Sequence, residues 1–140
     1  MSVKQISVFI ENKKGKLAEV TKYIASHEVN LRALSIADTQ DFGILRIICE
    51  NPDKANEVLK EGGYITTVTD VLATAISDEP GSLAAILEVL SEAGVVVEYT
   101  YAFLSADKGA YMILRVDENQ AAAAALAGAG IKTADQDELF

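Results

Sequence analysis

The chain has 140 residues, of which 50% are hydrophobic and 24% charged. That is the size of one ordinary domain or two very small ones, with a composition that predicts a packed core rather than disorder. A count of 12 Lys and Arg against 21 Asp and Glu leaves a formal net charge of -9, which argues against a nucleic-acid partner and against an anionic membrane surface. No apolar run approaches the roughly 20 residues that span a bilayer. The first ten residues alternate polar and apolar instead of carrying a basic segment and an apolar block, so no signal peptide is expected and the cytoplasm is the expected compartment.

In chain order, Lys4 to Ile10 sets apolar Ile6, Val8 and Ile10 against polar Lys4 and Ser7, broken only by Phe9, and predicts a strand. Glu11 to Gly15 is polar and ends in Gly, after which Leu17, Val20, Tyr23 and Ile24 recur at helical spacing. Val29 to Asp38 predicts a second strand with Val29, Leu31, Ala33 and Ser35 on one face. Turn residues at Thr39 to Gly43 and the β-branched run Ile44 to Cys49 complete a hairpin. Asn51-Pro52-Asp53 opens a helix with the apolar stripe Ala55, Val58 and Leu59, and Gly62-Gly63 stops it. Tyr64 to Val71, rich in Thr, Val and Ile, predicts a fourth strand.

The same order then recurs. Val71 to Ile76 predicts a strand, and Asp78 to Ser82 a turn into a helix whose apolar face is Leu83, Ile86, Leu87 and Leu90. Gly94 ends that helix, and Val95 to Leu104 predicts the next strand. Asp107-Lys108-Gly109 turns the chain into a returning strand, Ala110 to Val116. Gln120 to Ala127 is an alanine-rich helix, and Ile131 to Phe140 holds the faintest strand signal. An ungapped shift of 66 positions superposes Gly15 on Gly81, Leu17 on Leu83, Val29 on Val95, Asp41 on Asp107, Gly43 on Gly109 and Gly62 on Gly128. The chain therefore predicts two βαββαβ domains, 1–70 and 71–140. Each is an α+β, ferredoxin-like unit with its helices on one face of an antiparallel sheet. Units this small bury little surface alone, so the two are expected to dock side by side into one continuous sheet. Charge divides unevenly between them: 1–70 carries 9 basic and 10 acidic residues, 71–140 only 3 and 11.

Catalytic patterns are missing. The single Cys49 and single His27 can build neither an internal disulfide nor a metal site, and no cofactor is expected. Cys49 lies in an apolar run and reads as a small core residue, and His27 as an exposed helix terminus. A phosphate loop at Gly15-Lys16 would need Gly at position 10 and Ser or Thr at 17, where the chain has Ile10 and Leu17. Gly128-Ala129-Gly130 follows a helix and reads as its cap. Two loops stand out, Asn12 to Gly15 and Asp78 to Gly81, each running from a strand into a helix where backbone N–H groups and the helix dipole favour an anion. The same residues equally serve to shape the turn and cap the helix.

The run from Asp78-Glu79-Pro80-Gly81-Ser82-Leu83 to Ala93-Gly94-Val95 resembles the signature of ACT domains, small ligand-sensing modules of amino-acid metabolism, and Asn12 to Val29 is a looser version with Lys14 in place of Pro. The resemblance covers essentially the whole chain as two ACT units. It implies a non-catalytic regulatory or sensor protein that binds a free amino acid between paired units, and a homodimer or a partner enzyme of amino-acid metabolism. In serine-sensing ACT domains two asparagines grip the ligand, and the matching positions here are Asn12 and Asn30; in the second copy they are Asp78 and Val96. An Asn offers both donor and acceptor to a zwitterion, and Lys13, Lys14 and Lys16 favour its carboxylate. The expected ligand-binding set is Asn12, Lys14, Gly15, Lys16, Leu17 and Asn30, with Asp78, Gly81 and Ser82 at a second loop. Tyr99 and Tyr101 are open to sheet-face packing, a pocket wall or a dimer interface. The rival reading is an ACT-like assembly module that joins proteins without a small ligand. Acylphosphatase-type chemistry would need an Arg in the first loop, which has none, and RNA binding would need an aromatic-basic strand motif.

Overall fold

The computed structural model describes residues 2–38, 42–105 and 107–140; the turn expected at Thr39 to Gly43 lies largely outside these, as does Asp41 of the Asp41/Asp107 match. Two compact units emerge, one of Lys4–Thr69 and one of Met1–Val3 with Asp70–Phe140, here the first and second unit.

The elements are β1 (Val3–Glu11), α1 (Lys16–Ser26), β2 (Leu31–Asp38), β3 (Phe42–Cys49), α2 (Pro52–Glu61), β4 (Ile65–Ile76), α3 (Ser82–Glu92), β5 (Val97–Ser105), β6 (Gly109–Val116), α4 (Asn119–Gly128) and β7 (Thr133–Ala134). Strand order in the first unit is β2-β3-β1-β4, and in the second β5-β6-β4-β7. Both are βαββαβ, as the repeat predicts. Where the sequence shows two strands, Tyr64 to Val71 and Val71 to Ile76, the chain forms the single strand β4, with neither Gly nor Pro between Ile65 and Ile76 to break it.

Alternation along the strands decides which face carries the helices. In the first unit Ile6, Val8, Leu45, Ile47 and Cys49 meet Val20 and Ile24 of α1 and Ala55 and Leu59 of α2 in one core. In the second, Leu72, Leu114 and Val116 meet Ile86 and Leu90 of α3 and Ala122 and Leu126 of α4. Cys49 belongs to this packing, and burial pushes its thiol pKa up to about 11. Asn51 caps α2 by accepting the Lys54 N–H, with Pro52 in the first turn.

Two details depart from simple alternation. Strand β2 carries a bulge between Leu31 and Ala33, so Leu31 faces the helices beside Cys49 while Ala33 and Ser35 lie on the opposite face, opposite Ile48 and Arg46. An equivalent bulge lies between Val97 and Tyr99, separating Val97 from Tyr99, Tyr101 and Phe103. The last segment forms a strand of only two residues and then a 3-10 turn, Gln136–Leu139, held by a reciprocal Asp135–Glu138 capping box. That turn covers the helix-free face of its unit. Phe140 meets Phe103 edge-on at 6.0 Å, Phe103 meets Tyr111 at 6.4 Å, and Lys108 Nζ donates to the carbonyls of Glu138 and Phe140.

Candidate functional site

Both strand-to-helix loops close with the same backbone. In the first, the Lys13 N–H donates to Glu11 O at 2.9 Å and the Lys16 N–H to Lys13 O at 3.2 Å. Gly15 then takes φ 84° as N-cap, and the first helical bond runs from the Glu19 N–H to Gly15 O. In the second, the Ser82 N–H donates to Glu79 O, Gly81 takes φ 87°, and the Ala85 N–H donates to Gly81 O. This left-handed geometry is open to Gly at little cost. The N-cap glycines bring no side-chain cap to either helix, and the Lys16 and Ser82 N–H groups are instead taken up by loop carbonyls.

The side chains around the two loops differ. Lys13 pairs with Glu11 at 2.8 Å and Lys16 with Glu19 at 3.3 Å, both at the surface. The hydrogen bond from Lys13, then its charge, holds the Glu11 carboxyl below its usual range, and Glu11 raises Lys13 in return. With Lys13 and Lys16 paired to carboxylates, the cluster of three lysines carries less surplus positive charge than its sequence indicates; Lys14 makes no ion pair among the described residues. At the second loop the Ser82 hydroxyl accepts from both the Ser77 N–H and the Ser77 hydroxyl at 3.1 Å. Asp78 and Gly81 are exposed.

Within the first unit Asn12 and Asn30 are not brought together. Asn12 lines a small recess with Leu17, Ile36 and Gly43, whereas Asn30 lines another with Glu28, Glu50, Asn51 and Lys54. Strand register explains the separation: Glu11 pairs with Phe42 at one end of β3, and Leu31 pairs with Cys49 at the other. Seven residue steps of extended strand span roughly 23 Å. Leu17, expected on the apolar face of α1, is 39% exposed and lines this recess. Val96, the second-copy counterpart of Asn30, is exposed and donates its N–H to Asp117.

On the other side of the first loop the structure forms a groove that sequence reasoning does not find. It has a volume of about 330 Å³ and lies between the end of β1, the start of α1 and the start of β4. Its apolar wall is Phe9, Phe42 and Ile65, which are 39%, 56% and 70% exposed. Glu11, Lys16 and Glu19 stand at its rim, and Tyr64 lines it. Tyr64 also packs at a tilt against Tyr23, ring centroids 5.5 Å apart, and the Tyr23 hydroxyl donates to Val58 O at 2.6 Å. Burial, with the charge of Glu19, raises the Tyr64 pKa above its ordinary value. The one sequence signal was Phe9, an apolar residue on the otherwise polar side of β1.

The remaining candidates have structural partners. Tyr99 and Tyr101 stack at 6.5 Å on the helix-free face, and Arg115 pairs there with Glu98 at 3.2 Å. His27 is exposed, with Nδ1 2.9 Å from Tyr23 O. Among the described residues no three His, Cys, Asp or Glu side chains cluster as a metal site, and no helix is long and apolar enough to cross a membrane.

Paired βαββαβ units with glycine-opened helix starts define a class of small α+β repeat modules. The chain belongs to the ACT domain pair family, whose model matches residues 1–139. It is similar to protein BT0572 from Bacteroides thetaiotaomicron, at 38% identity and a TM-score of 0.91 over 100% of this chain and 96% of that one. The fold also recurs in the regulatory subunit of aspartate kinase from Thermus flavus, at 14% identity and a TM-score of 0.65 over 93% and 94% of the two chains. The aspartokinase alpha and beta subunits share it at 17% identity and a TM-score of 0.60, with 91% of each chain covered. No curated protein matches the chain.

Proposed function

We infer that the protein is a non-catalytic sensor that binds a free amino acid at the first helix-opening loop and reports it to a partner enzyme. The observation that carries this is the start of α1, where Gly15 takes a left-handed turn at an N-cap with no side chain, beside Asn12, Lys14, Lys16 and Leu17, and the first turn of a helix suits a carboxylate. Membership of the ACT domain pair family supports it. The separation of Asn12 from Asn30 is consistent with a site shared between two copies. Strand β2 ends the strand order of its unit and exposes Leu34 and Ile36. A two-fold antiparallel pairing of two such edges would set the Asn12 end of one copy beside the Asn30 end of the other. Asp78, Gly81 and Ser82 form the corresponding second loop, with an acidic residue suited to an ammonium group.

A thermal-shift panel with the twenty amino acids tests this reading. Ligand at 100 times its Kd adds about 2.7 kcal/mol, a rise of several degrees for a chain this small. Asn30→Ala weakens the response and Val96→Ala leaves it intact; a panel with no response at millimolar concentration removes the reading. The exposed apolar residues on edge strands, Leu34 and Ile36 on β2 and Leu104 on β5, favour an assembly module as the second reading. It would give concentration-dependent association with no amino-acid response.

A further inference from the structure

We propose that the outer edge of β4 in the first unit, Ile65 to Thr69, pairs antiparallel with the same segment of a second copy of the chain. The contact is distinct from the β2 pairing raised above, and it stands whether or not the protein senses an amino acid. Strands β6 and β7 pair with β4 only between Leu72 and Ile76. From Ile65 to Thr69 the strand therefore has β1 on one side and, among the described residues, no strand on the other. Ile65 and Val68 are 70% and 46% exposed, and Thr67 is exposed as well. Every second residue along such an edge directs its N–H and C=O away from the sheet.

An open edge templates further pairing unless something blunts it. The other outer strands are blunted. Strand β2 has a bulge and the charges of Arg32 and Asp38, β5 has a bulge and Glu98, and β7 is two residues long and runs into the Asp135 capping box. Ile65-Thr66-Thr67-Val68-Thr69 has no charge, no Pro and no Gly, and all five residues are β-branched. The segment is also complementary to itself, which selects a second copy as its partner. In an antiparallel pair centred on Thr67, Thr67 stands opposite its own equivalent, Thr66 opposite Val68 and Ile65 opposite Thr69, all favourable cross-strand pairs. The Thr66 hydroxyl donates to Asn56 Oδ1 of α2 at 2.6 Å, which fixes Thr66 on the helix side. Alternation then sets Ile65, Thr67 and Thr69 on the helix-free face, so this register keeps the helices of both copies on one side. It also holds the two Asp70 carboxylates about 20 Å apart, whereas a parallel in-register pair would set them side by side. The contact is isologous and closes on itself. Five residues a side make a small interface, so association is weak and concentration-dependent.

Cysteine scanning of the full chain tests the register. Thr67 lies on the two-fold axis, so Thr67→Cys is expected to give a disulfide-linked dimer under mild oxidation, its two Cα atoms falling within the roughly 4.4–6.8 Å that a disulfide needs. Ile65→Cys alone should not, because its two copies stand about 14 Å apart, whereas mixed Ile65→Cys and Thr69→Cys chains should link to each other. Cys49 is buried and takes no part. In the unaltered chain, amide exchange from Ile65 to Thr69 should slow as concentration rises from micromolar to millimolar. Thr67→Lys sets two ammonium groups face to face and should abolish that dependence, Thr67→Val should keep it, and melting curves of the dilute variants control for folding. The proposal is overturned if Thr67→Cys yields no dimer, if Ile65→Cys links as readily, or if exchange at Ile65 to Thr69 does not depend on concentration. It is equally overturned if Leu34→Lys abolishes self-association while Thr67→Lys does not affect exchange at Ile65 to Thr69, which assigns the copy-to-copy contact to β2 and leaves this edge to the strand of another protein.

Discussion

The two helix-opening loops share a backbone and differ in what ties them shut. Positions 11 and 16 of the first correspond to 77 and 82 of the second under the 66-residue shift. In the second loop these are Ser77 and Ser82, whose hydroxyls and one N–H lock to each other at 3.1 Å. In the first they are Glu11 and Lys16, each turned to a different neighbour, Lys13 and Glu19. The repeated geometry is therefore carried by glycine and backbone bonds, while the side chains are free to diverge. The first loop keeps its charges in exposed ion pairs beside a groove, and the second, beside a recess of its own, bonds its two serines to each other. That contrast supports the proposed assignment of the ligand to the first loop on grounds other than net charge.

The largest expected difference between the units is at a glycine that the shift superposes. A Cβ at Gly62 would lie 2.5 Å from Cζ of Tyr23, a ring pinned by its hydrogen bond to Val58 O. At Gly128 nothing lies within 4 Å. Gly62→Ala should therefore destabilise by about 2 kcal/mol, the cost of overpacking. Gly128→Ala, at the last residue of α4, should stabilise by up to about 1 kcal/mol through helix propensity. Urea denaturation of the two variants checks this, and equal effects would show that Tyr23 yields freely.

A smaller effect of opposite sign is expected just past α1 and α3. Glu28 has φ 59° where its counterpart Gly94 has 74°. Both follow the same capping pattern, with Val29 N–H bonded to Ile24 O and Val95 N–H to Leu90 O. The first unit thus holds a side chain in a left-handed conformation that the second gives to glycine. Glu28→Gly should stabilise, and Gly94→Ala destabilise, each by about 1 kcal/mol or less. Thermal melts that move in the same direction for both would contradict the shared geometry.

Much of this fold can be read from the chain alone, because its signals are local. Helix starts follow Gly15 and Gly81, Asn51-Pro52 opens α2, and the 66-residue shift aligns the two copies. The features that escape it depend on more than one segment. The bulges at Leu31/Ala33 and Val97/Tyr99 break a two-residue period that looks regular from sequence and sets Leu31 on one face with Ala33 and Ser35. The groove draws Phe9, Lys16, Phe42 and Ile65 from four elements, and no spacing in the sequence joins them. The sequence shows the lysines of the first loop only as charges, whereas in the fold Glu11 and Glu19 offset two of them. Asn12 and Asn30 are close in sequence pattern but stand at opposite ends of β3, a consequence of β2 and β1 both pairing antiparallel to it.

The finest test of the contrast between the loops is titration. Glu11 is hydrogen-bonded and ion-paired to Lys13, with Lys16 adding a smaller attraction, and its carboxyl is lowered from 4.5. A carboxylate whose folded pKa is depressed contributes stability that is present above its unfolded pKa and lost as pH falls through the folded one. The first loop therefore weakens toward acid through Glu11, while the second has Ser77 at that position and no equivalent loss. NMR titration should place Glu11 below the ordinary range, and Lys13→Ala should bring it back up. Added salt should do the same in part, since an exposed pair is screened, whereas the Ser77 amide, bonded to a neutral hydroxyl, should keep its exchange protection. If Glu11 titrates at its ordinary value with and without Lys13, the first loop is held by its backbone alone, and its charges are as free for a ligand as those of an unpaired rim.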